Sequence, residues 1–125
     1  MSTPREVTTP KVKINRKDDL VTLALDERGV ILDCSKAAER LFGYLRSELM
    51  RCHVSQLLPQ LREEALVQDG RLNPRLRFLC HSGHLFQAHN QQGRAFRSEL
   101  HLVELNNLSG RSLRLIVCPV DFSTS

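Results

Sequence analysis

The stretch that decides the fold is Ser35–Tyr44, whose sequence is Ser-Lys-Ala-Ala-Glu-Arg-Leu-Phe-Gly-Tyr. Its apolar residues recur at the spacing of one helix face, which predicts a short amphipathic helix. Ser35 precedes them and is a good N-cap, because a serine hydroxyl accepts a hydrogen bond from a free N–H of the first turn. Gly43 follows them and suits the left-handed conformation that ends many helices. The stretch therefore predicts a helix that begins after Ser35 and ends at Gly43.

Two apolar runs precede this helix and predict a β-hairpin. Leu20–Leu25 and Val30–Cys34 are rich in residues that favour strands. The segment Asp26–Gly29 between them is a four-residue turn that ends in glycine. Two such runs joined by a short glycine-containing turn are typical of antiparallel pairing.

Short helical segments with polar interruptions follow. The pattern predicts them at Arg46–Met50, Val54–Leu58 and Leu61–Val67, the second stopped by Pro59. Segments this short suit a layer that wraps over a sheet better than a helical bundle.

Beyond His84 the apolar period changes to two. Strands are predicted at Leu85–Asn90, Ala95–Leu105 and Leu113–Val120, with tight turns between them. On the long strand, one face is shared by Phe96, Ser98, Leu100 and Leu102. The chain is therefore predicted to be α+β, with short helices covering one face of a single antiparallel sheet.

Composition and charge limit the class of protein. The chain of 125 residues is long enough for one domain, and its 41% hydrophobic and 26% charged residues are typical of globular proteins. The net charge of +4 arises within residues 1–17, which hold five basic residues and one acidic residue. We predict a mobile basic arm over 1–17 and a neutral domain over 18–123. We predict no nucleic-acid partner, since such domains carry their positive charge on a folded face.

The apolar runs and the cysteines bear on location. No run is long enough to cross a bilayer, and no apolar stretch of the secretory type follows Met1–Arg5. We therefore expect a cytoplasmic protein with no membrane partner. The four cysteines are Cys34, Cys52, Cys80 and Cys118. Their wide spacing predicts neither zinc pairs nor, in the cytoplasm, disulfides.

With its elements in this order, the chain resembles the PAS domains, or sensory boxes, of bacterial signalling proteins. In that family a strand runs into an Asn-x-Ala-Ala-Glu-x-Leu-Phe-Gly-Tyr helix. Here Val30–Leu32 runs into Ser35–Tyr44, with Ser in place of the Asn. Gln91–Phe96 is similar to the family's Lys-Asp-Gly-x-x-Phe hairpin, and Val120–Ser123 is similar to its Arg-Asp-Ile-Thr ending.

The resemblance implies a five-stranded antiparallel sheet in the order 2-1-5-4-3, with helices that enclose a small cavity on one face. Domains of this family sense a small molecule or cofactor there, or serve as dimerisation modules. They pass the signal to an effector domain or partner protein. The fold alone does not choose among these roles.

Each cofactor known in the family requires a particular residue at a particular position. Its haem sensors use a histidine of the last helix, but that register holds Phe78, which cannot ligate iron. His81 is expected in the connection that follows. Cys52 lacks the sequence context of the flavin-linked cysteine, and His84 and His89 lack a second ligand pair for a metal. We predict no cofactor and no metal site. A haem-based gas or redox sensor is the lowest-ranked alternative, and non-covalent flavin stays open, although few aromatic rings are available to stack on it.

Catalytic residues are not predicted. Glu63 and Glu64 are neighbours, and adjacent side chains on a helix diverge by about 100° instead of converging on a substrate. No nucleophile stands beside a base, and the glycines fall in turns instead of a phosphate loop. We therefore expect that the protein is not an enzyme.

The candidate pocket residues are apolar side chains expected to face inward. They are Leu41, Leu58, Leu66, Phe78, Phe86, Phe96, Leu100 and Ile116. Two hypotheses stay open. The residues line a cavity that recognises a small molecule, or they fill one another and leave a ligand-free protein–protein interaction module.

The last predicted strand is apolar on both faces. One face carries Leu113, Leu115 and Val117, and the other carries Ile116, Cys118 and Val120. A strand that is apolar on both sides needs a cover on each. We therefore predict a homodimer that forms through the outer face of the sheet.

Overall fold

The structure, a computed structural model, describes residues 20–107 and 110–120. The strands are β1 (Val21–Leu25), β2 (Ile31–Cys34), β3 (Val67–Gln68), β4 (Arg71–Leu72), β5 (Phe86–His89), β6 (Ala95–Asn107) and β7 (Gly110–Pro119). The α-helices are α1 (Lys36–Phe42), α2 (Arg46–Leu49) and α3 (Pro74–His81), and two 3-10 turns span Val54–Gln56 and Pro59–Leu61. The predicted arm over 1–17 and the chain end at 121–125 lie outside the described residues. The domain boundaries at 18 and 123 therefore stay predictions.

Five of the strands form one antiparallel sheet in the order β2-β1-β7-β6-β5. Numbered among themselves, these five strands have the predicted order 2-1-5-4-3, and the α+β class is confirmed. β1 and β7 are the first and last strands along the chain, and they pair within the sheet, where Leu23 lies opposite Leu115. β3 and β4 form a separate two-stranded hairpin.

Ser35 joins β1 to α1 through a single hydroxyl group. Its Oγ accepts hydrogen bonds from the N–H groups of Ala38 (3.2 Å) and Thr22 (3.1 Å). It also donates to the carbonyl of Leu20, at 2.8 Å. The helix ends at Gly43 with a left-handed φ of 76°, as its sequence predicts. The one hydroxyl thus fixes where the strand and the helix meet.

One apolar core lies between the helices and the inner face of the sheet. The strands contribute Leu23, Leu25, Ile31, Phe86, Ala88, Leu100, Leu113, Leu115 and Val117. The helices and 3-10 turns contribute Ala38, Phe42, Leu49, Val54, Leu61, Leu76 and Cys80. Burial of apolar surface is the main favourable term in folding, and here it holds every described helix to the same face of the sheet.

Both edge strands of the sheet are covered by the chain that connects the elements. Along β2, the N–H of Ile31 donates to the carbonyl of Cys52 at 2.8 Å. Along β5, the N–H of His89 donates to the carbonyl of Leu57 at 2.8 Å. An uncovered edge is a template for a further strand, and these contacts occupy that template on both sides of the sheet.

The segment between the 3-10 turns and α3 differs from the prediction. The predicted helix over Leu61–Val67 is wrong, because only its first residue lies in a 3-10 turn and its last begins β3. The β3–β4 hairpin turns at Asp69 and Gly70, with φ of 53° and 76°. Arg111 of β7 donates to the carbonyl of Gly70, and its Nε lies 3.8 Å from the carboxylate of Glu27. Arg111 thereby links this hairpin to the turn before β2.

Asn73 is the N-cap of α3, and both the oxygen and the nitrogen of its buried side-chain amide form hydrogen bonds. Its Oδ1 accepts from the N–H of Arg75 at 2.9 Å, and its Nδ2 donates to the carbonyl of Ala65 at 2.6 Å. Pro74 takes the first helical position, where a missing N–H removes no helical bond. The helix extends through His81, so the prediction that His81 lies in the following connection is wrong. No helix in the described part of the chain has the length and hydrophobicity to span a membrane.

Gly29 occupies a position where a side chain meets both strain and a close neighbour. Its φ is 93°, and a Cβ would lie 2.8 Å from Nε2 of His53. That nitrogen lies 2.8 Å from the carbonyl of Arg28, in a bond that holds the β1–β2 turn. We predict that Gly29→Ala lowers the free energy of unfolding by about 2–3 kcal/mol, through left-handed strain and loss of this bond. Urea unfolding measures the change.

Gly93→Ala is the matched control for this prediction. Gly93 has a similar φ of 85°, but a Cβ there meets nothing within 4 Å. It should therefore show the strain alone, about 1–2 kcal/mol. Equal losses in the two variants would show that the His53 contact does not constrain the turn.

Candidate functional site

Six of the eight predicted pocket residues lie together between the helices and the inner face of the sheet. Leu58, Leu66, Phe86 and Leu100 are each at most 2% exposed. Leu41 and Phe96 are half-buried and pack against the same core.

Phe78 lies on the outside of α3, so its assignment to the pocket is wrong. It is 68% exposed and lines a shallow surface cleft with Pro74, Arg77 and His81. The physical reason is helical periodicity. Leu76 is buried, and a side chain two residues further along a helix points about 200° away.

Ile116 lies on the outer face of β7, so its assignment to the pocket is also wrong. Its neighbours Leu115 and Val117 are the buried residues, at 0% and 2% exposure. Successive side chains on a strand point to opposite faces, which leaves Ile116 on the outside. The pattern alone did not identify the inner face, because both faces of this strand are apolar.

Ser98 is a fully buried polar residue on the inner face of β6. It lies opposite Phe86 on β5 and Pro119 on β7. Its Oγ has no hydrogen-bond partner in the described part of the chain. A buried hydroxyl without a partner lowers stability, because it has lost its bonds to water. Ser98 is therefore either a weak point of the core or a place for a small polar molecule.

Close packing surrounds this part of the core. The rings of Phe42 and Phe96 lie 5.8 Å apart between centroids. Four of the clefts formed by described residues lie at the surface, and Ser98 lines none of these four. One of them, about 420 Å³, is lined by Pro59, Gln60, Leu85, Gln87, His89 and Arg97.

The histidines near α3 and β5 are dispersed. His81 is exposed, and His84 meets the ring of Phe86 edge-on at 4.7 Å. Nε2 of His89 lies 3.1 Å from Nε2 of the Gln87 side chain. No group of three His, Cys, Asp or Glu side chains that could hold a metal occurs among residues 20–107 and 110–120. The lack of a cofactor stays a prediction.

Burial controls the chemistry of three of the thiols. It raises the pKa of Cys80 to about 11. It also raises the pKa of Cys34 and of Cys118, and the nearby carboxylates of Glu39 and Glu99, respectively, add to the effect. A thiol with a raised pKa carries little thiolate at neutral pH and is a poor nucleophile.

The outer face of the sheet carries three rows of paired side chains, which we call the outer patch. The rows are Glu99 with Cys118, His101 with Ile116, and Val103 with Arg114. Val103 is 44% exposed, and Ile116 and Cys118 are half-buried. The outer patch thus has one apolar side chain in each row and a charge in each end row, an arrangement suited to contact with another protein.

The sequence analysis gave no role to Ser98 and did not relate Glu99 to Arg114. It placed Ser98 on the inner face, where a polar residue between Phe96 and Leu100 was the available signal, but gave it no role. The relation of Glu99 to Arg114 had no signal in the sequence, because it depends on the register between β6 and β7.

Comparison with known proteins supports the same fold. The family model described as PAS fold matches residues 21–118. The PAS domain of the HTR-like protein from Haloarcula marismortui is 15% identical, with a TM-score of 0.65, over 94% of this chain and 100% of that one. A PAS domain from a two-component sensor histidine kinase is 17% identical, with a TM-score of 0.63, over 93% and 97%.

The PAS domain of nitrogen regulation protein NR(II) from Vibrio parahaemolyticus is 21% identical, with a TM-score of 0.57, over 90% of this chain and 98% of that one. At these identities the structural likeness shows the fold. The family model covers most of the chain and spans all five strands of the main sheet, from β1 nearly to the end of β7. The protein therefore belongs to the PAS family.

Proposed function

We propose that this PAS domain is the input module of a signalling protein and acts by pairing with a second copy of itself through the outer patch. The observation that carries the proposal is a pair of apolar side chains in that patch, the exposed Val103 and the half-buried Ile116, on a sheet whose edge strands are both covered. A sheet that is apolar on both faces needs a cover on each. The described helices all contribute to the inner core, and a second copy supplies the outer cover.

The proposed mechanism is a shift between two packings of the helices on the sheet. Phe42 of α1 and Leu76 of α3 lie in the same core as Leu100 of β6, so a change at either helix reaches the strand that carries the outer patch. A partner or ligand that favours one packing shifts the population towards it, and an effector domain receives the change. The proposed domain works in the cytoplasm and performs no catalysis.

A second candidate function is recognition of a small molecule in the core, and Ser98 is the observation that favours it. Its unpartnered hydroxyl lies among Phe86, Phe96 and Leu100. An apolar lining with one polar group is typical of small-molecule sites. The close packing around Ser98 ranks this function second. Haem is not proposed, because Phe78, in the family's axial register, lies on the surface.

We predict that the protein is a dimer at micromolar concentration and that Ile116→Asp weakens the dimer roughly tenfold or more. The change places a carboxylate in the central row of the outer patch, where its desolvation opposes association. Val103→Asp should weaken the dimer in the same way. Because Val103 is exposed in one copy, this variant should keep the fold. Sedimentation velocity with each variant measures the dissociation constant.

Leu45→Asp is the control for this experiment. Leu45 is 64% exposed but lies at the N-cap of α2, away from the outer patch, and aspartate suits a cap position. It should leave the dimer unchanged. A monomeric wild type would overturn the proposal, as would outer-patch variants that dimerise like the wild type.

We predict that Ser98→Ala raises the free energy of unfolding by about 1 kcal/mol, because it removes an unpartnered buried hydroxyl. Ser35→Ala is the contrast. Its hydroxyl makes three hydrogen bonds, so the change should lower stability by about 1–2 kcal/mol. Loss of stability in Ser98→Ala, with loss of a bound small molecule in native mass spectrometry, would favour the second function instead.

A further inference from the structure

The outer patch has a charge at each end that forms no ion pair with the residues the structure describes. Glu99 and Arg114 lie two rows apart, which places them about 14 Å from each other along the strands. Neither takes part in an ion pair within the described part of the chain. Glu99 lies beside Cys118, and Arg114 lies between Val103 and the small side chain of Ala24.

Symmetry limits how two such faces can meet. Two identical sheets packed face to face are related by a two-fold axis that lies between them and parallel to both. If the axis runs along the strands between β6 and β7, each row faces the same row of the partner. Arg114 then faces the partner's Val103, and Glu99 faces the partner's Cys118. This arrangement buries four charges without partners, which opposes association strongly.

An axis that runs across the strands reverses their direction. Centred on the row of His101 and Ile116, it places Ile116 against the partner's Ile116. The Glu99 end of each copy then lies over the Arg114 end of the other. Glu99 of one copy then lies over Val103 of the other and diagonally beside its Arg114, because Val103 and Arg114 share a row. Opposite charges are thus brought together twice in each dimer.

We infer that the partner is a second copy in this antiparallel orientation, with Glu99 of each protomer paired to the partner's Arg114. The inference rests on the proposed function and adds the orientation of the two sheets. Charge pairs at the ends of an apolar contact select one orientation more than they add affinity, because the wrong orientation leaves like or unpaired charges in the contact. The orientation sets which way the two chain ends leave the dimer.

The test exchanges the charges one at a time and then mixes the variants. Glu99→Arg alone places arginine against arginine, and Arg114→Glu alone places glutamate against glutamate. Each should weaken the dimer roughly tenfold or more. A mixture of the two variants should form a heterodimer about as tight as the wild type, because both of its contacts then join opposite charges. Isotope labelling of one variant and native mass spectrometry identify the heterodimer.

Arg97→Glu is the matched control. Arg97 lies on the same face of β6, two residues from Glu99 and outside the three rows. It should leave the wild-type dimer intact and should not restore the Glu99→Arg variant when the two are mixed. Thermal unfolding of each variant shows that the fold is retained.

The outcomes separate the orientation from the proposed function. A monomeric wild type overturns both. A wild-type dimer that survives both single exchanges, or single exchanges that weaken it without rescue in the mixture, overturns the orientation and leaves the dimer standing. Weakening by both single exchanges, together with rescue in the mixture, supports the inferred pairing.

Discussion

The hydroxyl of Ser35 is the constraint on which the rest of the structure depends. It bonds the start of β1 on one side and the first turn of α1 on the other, so the strand and the helix can meet in only one way. That junction directs Ala38 and Phe42 onto the inner face of the sheet. Everything that follows in the chain packs around the core that this first contact begins.

Placing every described helix on one face has consequences for the other. Among residues 20–107 and 110–120, the inner face carries the packed core and one unsatisfied hydroxyl, at Ser98. The outer face holds the exposed apolar and charged side chains, and the edges are occupied by the chain itself. The proposed function depends on this asymmetry, because a change in helix packing on the inner face would be read by a partner on the outer face.

Local patterns predicted the sheet, α1 and its caps, because alternation, a serine cap and a turn glycine act over a few residues. They failed where distant contacts decide. The four-residue spacing of Leu61 and Ala65 suits a helix, yet Leu61 and Leu66 are buried from an irregular segment that leads into the β3–β4 hairpin. Ile116 was placed inside because β7 is apolar on both faces. Phe78 was placed inside because its position came from a family register and not from the periodicity of α3.

The covered edges of the sheet also decide how far association can go. A free edge strand would accept the same strand of another copy, and that copy would offer its own edge to the next, so growth would have no natural end. With β2 and β5 occupied by their own chain, contact through one face closes on itself after two copies. In the proposed dimer, a PAS domain held at high local concentration can then pair without seeding a fibre.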